Sequence, residues 1–386
     1  MNYDFIIYGG GISSEIAALA LAKNNFNVCY VKNQTVQKTE SNLVTFLSSG
    51  SINYLCSIID DPLEFNKFTD IEKISCRLAS IKNGSSITFD NEPNSTMGKI
   101  LPNKIISEQL ATSLKENKNI DTLFKTKSIR KETRSNKVSI VIDEQKEIFA
   151  RVLILSVNDE NLLEQNDIKF ISQDLKQTAF SINVQGEFKK KKHAFQTFTS
   201  SGALAFLPYT HNQASLVWSL KNHSKELNYE KSELESKVNE YFEKEIGALR
   251  IENIETHKLN FLYAKKLYHR NTVLMGNIAH NIHPIAGQGL NLSIKDISLF
   301  VEVILKYTSL GYEVNNRMAF KEFDQLRKID NAAYSFGTLA LDKILKSKNS
   351  FLSVFANMGI KILDKNNFLK RKIIKNATGV ENFKAL

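Results

Sequence analysis

Three consecutive glycines, Gly9-Gly10-Gly11, stand between an apolar stretch, Phe5 to Tyr8, and a segment rich in Ala and Leu, Ser14 to Lys23. Few folds accommodate such a junction. Glycine adopts backbone conformations closed to other residues, so the chain can turn from an extended strand straight into a helix. Val28 to Val31 reads as a second short apolar strand. Strand, tight turn, helix, strand is a βαβ unit, which requires a parallel sheet with helices covering its faces.

The remaining pattern implies more than one packing unit. The 386 residues are 42% hydrophobic, enough for two or three cores and not a disordered composition. An irregular region around Ser48, Ser49, Gly50 and Ser51 precedes a helical pattern from Ile105 to Leu114 and a strand pair, Val138 to Ile142 and Val152 to Leu155. From about Asp174 to Leu220 the pattern alternates with period two, at Ala179 to Val184, Ala203 to Leu207 and Ser215 to Ser219. The α/β pattern then returns with a strand, Val273 to Met275, and a helix from about Gly289 to Lys306, and the tail from Asn316 reads as mainly helical. The expectation is an α/β domain built from residues 1–70, 98–164 and 256–320. A sheet domain from 71–97 and 165–255 is inserted into it, and a helical region follows at 321–386.

Several classes are excluded or disfavoured. Met1 to Tyr8 runs directly into a strand without the features of an export signal, which points to the cytoplasm. The three cysteines, Cys29, Cys56 and Cys76, have no metal-type spacing and read as small buried hydrophobes. No apolar run reaches the roughly 18 residues of a membrane span; the longest, Ile294 to Leu305, is broken by Lys295, Asp296 and Glu302. The net charge of +10 suits an anionic partner or surface, but no nucleic-acid motif accompanies it.

Two stretches carry chemistry. Gly9-Gly10-Gly11-Ile12-Ser13-Ser14 lies between strand and helix as a dinucleotide fingerprint does. Gly9 permits the turn, and Gly11 lets the backbone approach a pyrophosphate at the positive end of the helix. Ser14 takes the place of the third glycine, and Lys32 that of the acid that accepts hydrogen bonds from ribose hydroxyls. The second stretch runs from Gly276 to Asn291 (GNIAHNIHPIAGQGLN), followed by Asp296, again between a strand and a helix, and its close glycines let a flat ligand lie against the backbone. His280 and His283 are three residues apart, but they come with no carboxylate cluster, so they read as residues that shape the loop and not as metal ligands.

This second stretch resembles the GD/GN-x-A-H-x-x-x-P-x-x-G-Q-G-x-N signature of class A flavoprotein monooxygenases, most closely the ubiquinone-biosynthesis hydroxylases of the 2-polyprenyl-6-methoxyphenol hydroxylase type. Other matching stretches are Met97-Gly98 with Pro102-Asn103, Gln173-Asp174 with Gln177-Thr178-Ala179, and Gly202 to Pro208. Further along, Val217-Trp218, then Phe323, Arg327 and Asp330, and finally Gly359-Ile360 and Ala377-Thr378-Gly379 also match, so nearly the whole chain is covered. The resemblance implies a Rossmann-like FAD-binding domain of the para-hydroxybenzoate hydroxylase type, an inserted mixed β-sheet substrate domain and a helical C-terminus. It implies an FAD-dependent monooxygenase that hydroxylates the ring of a polyprenylated phenol in ubiquinone biosynthesis. NAD(P)H and O₂ are consumed through a flavin C4a-hydroperoxide, with the protein supplying position and electrostatics.

Carried over by residue, the resemblance puts Gly9, Gly11, Ser13, Ser14 and Lys32 at the adenosine and pyrophosphate end of FAD. Gly276 and Asn277, the latter in place of an aspartate, fall near the ribityl chain. Ala286, Gly287, Gly289, Leu290 and Asn291 contact the flavin ring, and Pro284, Gly287, Gln288 and Gly289 line the reacting face. The chain departs from the pattern at Ser14, Lys32, Asn42 in place of an arginine, and Ser156-Val157-Asn158-Asp159 in place of an Asp-Gly motif. These losses keep open a second reading, a flavin-poor, non-catalytic paralogue that holds lipid intermediates or partners in a quinone-biosynthesis complex. The tail from Leu341 to Ile374 interleaves Ile344, Phe351, Phe355, Phe368 and Leu369 with lysines, so a peripheral contact with anionic lipid is a further expectation.

Overall fold

In the computed structural model the glycine turn joins β1 (Asn2–Gly9) to α1 (Ile12–Lys23), and β2 (Val28–Asn33) returns parallel to β1 with Gly9 opposite Lys32. The structure describes residues 2–33, 43–78, 85–90, 95–126, 129–134, 137–142, 146–165, 168–284, 287–345 and 366–379. Phe5 to Tyr8 are fully buried because β1 lies at the centre of the sheet and both its faces are covered. α1 is buried from Ser14 to Ala22, as its Ala- and Leu-rich composition requires of a helix wedged between a sheet and other helices.

β3 (Val44–Ser48) and α2 (Ser49–Ile58) follow, so the stretch expected to be irregular is helical. Ser48 explains the difference: its Oγ accepts the amide of Ser51 and so caps the first turn. Next come β4 (Asp70–Ile71), β5 (Lys73–Leu78), β6 (Ser86–Asp90), β7 (Gly98–Pro102), α3 (Asn103–Glu116) and β8 (Ile120–Thr126). They lead into β9 (Ile129–Arg134), β10 (Lys137–Ile142), β11 (Lys146–Leu155) and α4 (Glu160–Gln165). β12 (Phe170–Gly186), β13 (His193–Phe198), β14 (Gly202–Pro208), β15 (Gln213–Lys221), α5 (Lys231–Phe242) and β16 (Leu249–Ala264) form the alternating region. The chain closes with β17 (Tyr268–His269), β18 (Thr272–Leu274), β19 (His280–Asn281), α6 (Gly289–Ser309), α7 (Arg317–Leu345) and α8 (Asn367–Thr378).

The first sheet has the order β17-β18-β11-β1-β2-β8, parallel from β18 to β8, with the β9–β10 hairpin attached to β11. The second has the order β19-β16-β12-β15-β14-β13-β5-β6 and is antiparallel except where β13 meets β5. Its core gathers Trp218, Phe206 and Val184 of the sheet with Leu234, Val238 and Phe242 of α5. A small sheet, β3-β7-β4, is built from the chain between β2 and β8. No described helix is long and apolar enough to cross a membrane. Much of the lysine-rich stretch, residues 346–365, lies outside the described residues, as does Asn42.

Candidate active site

β1, β11 and β18 end side by side, at Gly9, Leu155 and Leu274, and the carboxyl ends of parallel strands are where α/β sheets bind ligands. Two glycines there are demanded by packing. A Cβ on Gly9 would lie 2.9 Å from Cβ of Ser14 and 3.1 Å from Cβ of Ser156. Gly276 has φ +74°, and a Cβ there would meet Ser13 Cβ and Ser156 Oγ at 3.0 Å. The fingerprint loop, the end of β11 and the second glycine-rich loop therefore cross within van der Waals contact. Ser14 fits because it is fully buried and its Oγ donates to Gly11 O at 2.6 Å.

Gly11 and Gly289 behave differently. A Cβ on either would meet nothing within 4 Å, so both present bare backbone to open space at a helix start. Neither α1 nor α6 has a side-chain cap, which leaves first-turn amides of each helix for another acceptor. Asp159, in the segment that departs from the Asp-Gly motif, caps α4 by accepting the amide of Leu162 at 3.1 Å.

Lys32, at the end of β2, reaches back to Glu15 of α1, with Nζ 3.0 Å from Oε1. Glu15 is buried, while the lysine side chain is 36% exposed. Burial pushes the Glu15 carboxyl up, against the opposing pull of Lys32. The sequence carried one sign of this pair, an acid directly before the apolar run Ile16 to Ala22.

The second loop feeds a cavity of about 470 Å³ between itself and the second sheet. Asn277, Pro284, Gly287, Gln288, Gly289 and Leu290 line it; Ile285 and Ala286 lie outside the described residues. Facing them are Phe46, Met97, Phe180, Phe195 and Leu207, with Ile374 of α8 at the edge. Apart from Met97 and Leu207, which fall in the matching stretches, sequence reasoning did not single out these walls, since an apolar residue in a strand looks the same whether it lines a core or a cavity. Asn291 serves the protein itself: its amide donates to Phe46 O at 2.7 Å and accepts Ser48 N at 2.9 Å, clasping β3 and α2 to α6.

The two histidines diverge, each to its own acid. His280 Nε2 lies 2.5 Å from Asp296 Oδ2, and Asp296 Oδ1 accepts Arg327 Nε at 2.5 Å. Asn331 donates to the same carboxylate at 3.2 Å, and Arg327 continues to Asp330 at 2.8 Å. Burial pushes the Asp296 carboxyl up, but the His280 and Arg327 charges outweigh it and hold the group below its ordinary range. His283 Nε2 lies 3.0 Å from Gln177 Oε1 and 3.3 Å from Asp342 Oδ1. Gln177 donates to Asp342 at 2.8 Å. One buried cluster thus ties the loop to β12 and α7, and no metal-ligand cluster occurs among the described residues.

Comparison with known proteins gives this geometry its chemistry. Residues 163–308 match the FAD binding domain family. The chain is 22% identical to the mitochondrial ubiquinone biosynthesis monooxygenase of Dictyostelium discoideum, over 98% of this chain and 91% of that protein. It is also 22% identical to the ubiquinone hydroxylase UbiL of Rhodospirillum rubrum, over 97% and 89%. The chain is thus similar along nearly its whole length to FAD-dependent monooxygenases named for ubiquinone biosynthesis. The fold agrees: p-nitrophenol 4-monooxygenase of Pseudomonas putida superposes over the whole of both chains with a TM-score of 0.78 at 13% identity. Klebsiella pneumoniae HpxO complexed with FAD covers 99% of each chain with a TM-score of 0.73 at 12% identity.

FAD is the cofactor of this monooxygenase, and the residues present fit it. Gly11 and the uncapped start of α1 would hold the pyrophosphate, and Gly289 with the start of α6 would hold the ring, since both glycines leave free the volume a side chain would take. When bound, FAD accepts hydride and activates oxygen. The protein would orient it and line the cavity with apolar side chains, while His280 and His283 are each held by a buried acid.

Proposed function

We propose that this monooxygenase hydroxylates the aromatic ring of a polyprenylated phenol in ubiquinone biosynthesis, with NAD(P)H as electron donor. The observation that carries the reading is the cavity of about 470 Å³ whose walls are apolar on the sheet side and glycine-rich on the other. That shape suits a ring bearing a greasy chain laid against a flat cofactor. The names of the full-length relatives support the pathway.

α8 supports a peripheral contact with anionic lipid: Lys370, Arg371, Lys372 and Lys375 share the helix with Phe368, which is 75% exposed, while Ile374 points inward to the cavity. A prenyl tail would then pass from the membrane surface to the ring pocket without crossing water. The test is complementation of strains that each lack one quinone-pathway hydroxylase, with the accumulated intermediate identified by mass. Loss of the intermediate in one strain supports the reading; persistence in all of them, with stable expression, overturns it. The exchange at Lys32 favours a second reading, a flavin-poor scaffold, and it predicts a colourless purified protein where the enzyme is yellow.

A further inference from the structure

One row of side chains across the second sheet forms the cavity floor, and strand register sets its order. Gln196 of β13 pairs with Cys76 of β5 on one side and Ala205 of β14 on the other; Ala205 meets Val217 of β15, and Val217 meets Ser181 of β12. All five line the cavity. Side chains alternate along a strand, so Gln196 points the same way as Ala194, which packs with Phe46 and Met97 above that floor. Gln196 is 8% exposed, yet its carboxamide has no hydrogen-bond partner among the described residues. Unlike Nδ1 of His280, neither of its polar atoms is sealed off, so both open into the cavity. A carboxamide this nearly buried is costly without a partner, and a hydroxyl on the ligand would remove that cost. Ser181, the other polar side chain of the row, lies three strand spacings away, about 14 Å, beyond reach of the same hydroxyl.

The charge of the walls narrows the ligand further. Among the described residues lining the cavity none is Lys, Arg, Asp or Glu. Its two histidines each have an acid beside them: His280 faces Asp296, and His257 lies 3.7 Å from Glu255. A carboxylate brought into this space would lose its water and meet no uncommitted cation.

We propose that Gln196 is the specificity-determining residue of the cavity: its carboxamide hydrogen-bonds an uncharged ring hydroxyl, and the site discriminates against rings that carry a carboxylate. This rests on reading the cavity as a phenol site. The carboxamide offers both an acceptor, Oε1, and a donor, Nε2–H, and a hydroxyl can answer either. An apolar ring without the hydroxyl leaves the carboxamide unpaired and so binds more weakly.

Calorimetric titration of the oxidised holoenzyme near neutral pH tests this with 4-ethylphenol, ethylbenzene and 4-ethylbenzoate, which are similar in size and differ at one ring substituent. The unmodified protein should bind 4-ethylphenol about ten-fold more tightly than either of the others. Gln196→Met keeps the length of the side chain and removes its polar atoms, so 4-ethylphenol should fall to the affinity of ethylbenzene while FAD content and Tm stay unchanged. Should Met fill the cavity and weaken ethylbenzene as well, the smaller Gln196→Ala decides on the same ratio. Ethylbenzene or 4-ethylbenzoate bound as tightly as 4-ethylphenol by the unmodified protein, or a preference for the phenol that survives both variants, overturns the assignment. A ratio that collapses in a protein that hydroxylates no phenol overturns the proposed function and leaves the role of Gln196 standing; phenol hydroxylation with the ratio intact in the variants does the reverse.

Discussion

The two ends of the cofactor groove each bury one carboxylate, and they do it differently. At the fingerprint end Glu15 faces one cation, Lys32, which is partly in solvent, and burial drives the carboxyl up. At the ring end Asp296 faces His280, Arg327 and an amide from Asn331, all buried, and its carboxyl is driven down. The number of donors and their desolvation decide whether a buried acid strains the fold or braces it. The ring end is braced and the fingerprint end is strained, and two departures from the dinucleotide fingerprint, Ser14 and Lys32, lie at the strained end.

The strongest way to break this comparison is Gly289→Val. Its side chain would enter space that no protein atom occupies, so the fold should hold while hydroxylation and flavin content fall about 10²-fold. Thermal unfolding and flavin absorbance check both, and unchanged flavin content would remove this glycine from the cofactor groove. Gly9→Val is the contrast: a Cβ there collides with Ser14 and Ser156, so soluble yield should collapse.

Asp296→Asn comes next. It breaks a buried ion pair and should cost about 3–5 kcal/mol. Because the folded-state value of Asp296 is depressed, its stability is present above the ordinary carboxylate range and is lost as pH falls through the folded value. Melting curves between neutral and acid pH should therefore converge for parent and variant.

A smaller effect is expected at Lys32. Lys32→Glu alone should weaken FAD binding and lower Tm, because it sets a second carboxylate beside Glu15. Combined with Glu15→Gln it should bind FAD more tightly than the parent, by about ten-fold, since the new acid can accept from the ribose without a like-charged neighbour. Fluorescence titration of the apoprotein reads both, and tighter binding by the single variant would mean the pair is not what holds Lys32 in place.

The smallest change should be Glu15→Gln. Its folded-state value is raised, so the ionised group costs stability at neutral pH, and the cost vanishes as pH falls below the unfolded value. The variant should match or slightly exceed the parent Tm near pH 7 and lose that advantage in acid. A clear loss of Tm at neutral pH would show that the ion pair outweighs the burial.

Local chemistry made much of this protein legible in its sequence. The glycine turn specified the βαβ unit because only glycine allows that backbone path, and period-two alternation specified the second sheet because strand side chains alternate faces. The loop from Gly276 to Asn291 announced a flat ligand for the same reason. The tertiary structure alone decided which polar groups meet. Lys32 is 17 residues from Glu15, Asp296 is 31 from Arg327, and Gln177 is 165 from Asp342. Spacing along the chain carries no information about such pairs, because their proximity depends on how α1, α6, α7 and β12 pack. Nor could it separate Gly9 and Gly276 from Gly11 and Gly289. The residue type is the same, and what distinguishes them is whether the space in front of each is filled by another part of the chain or left for the cofactor.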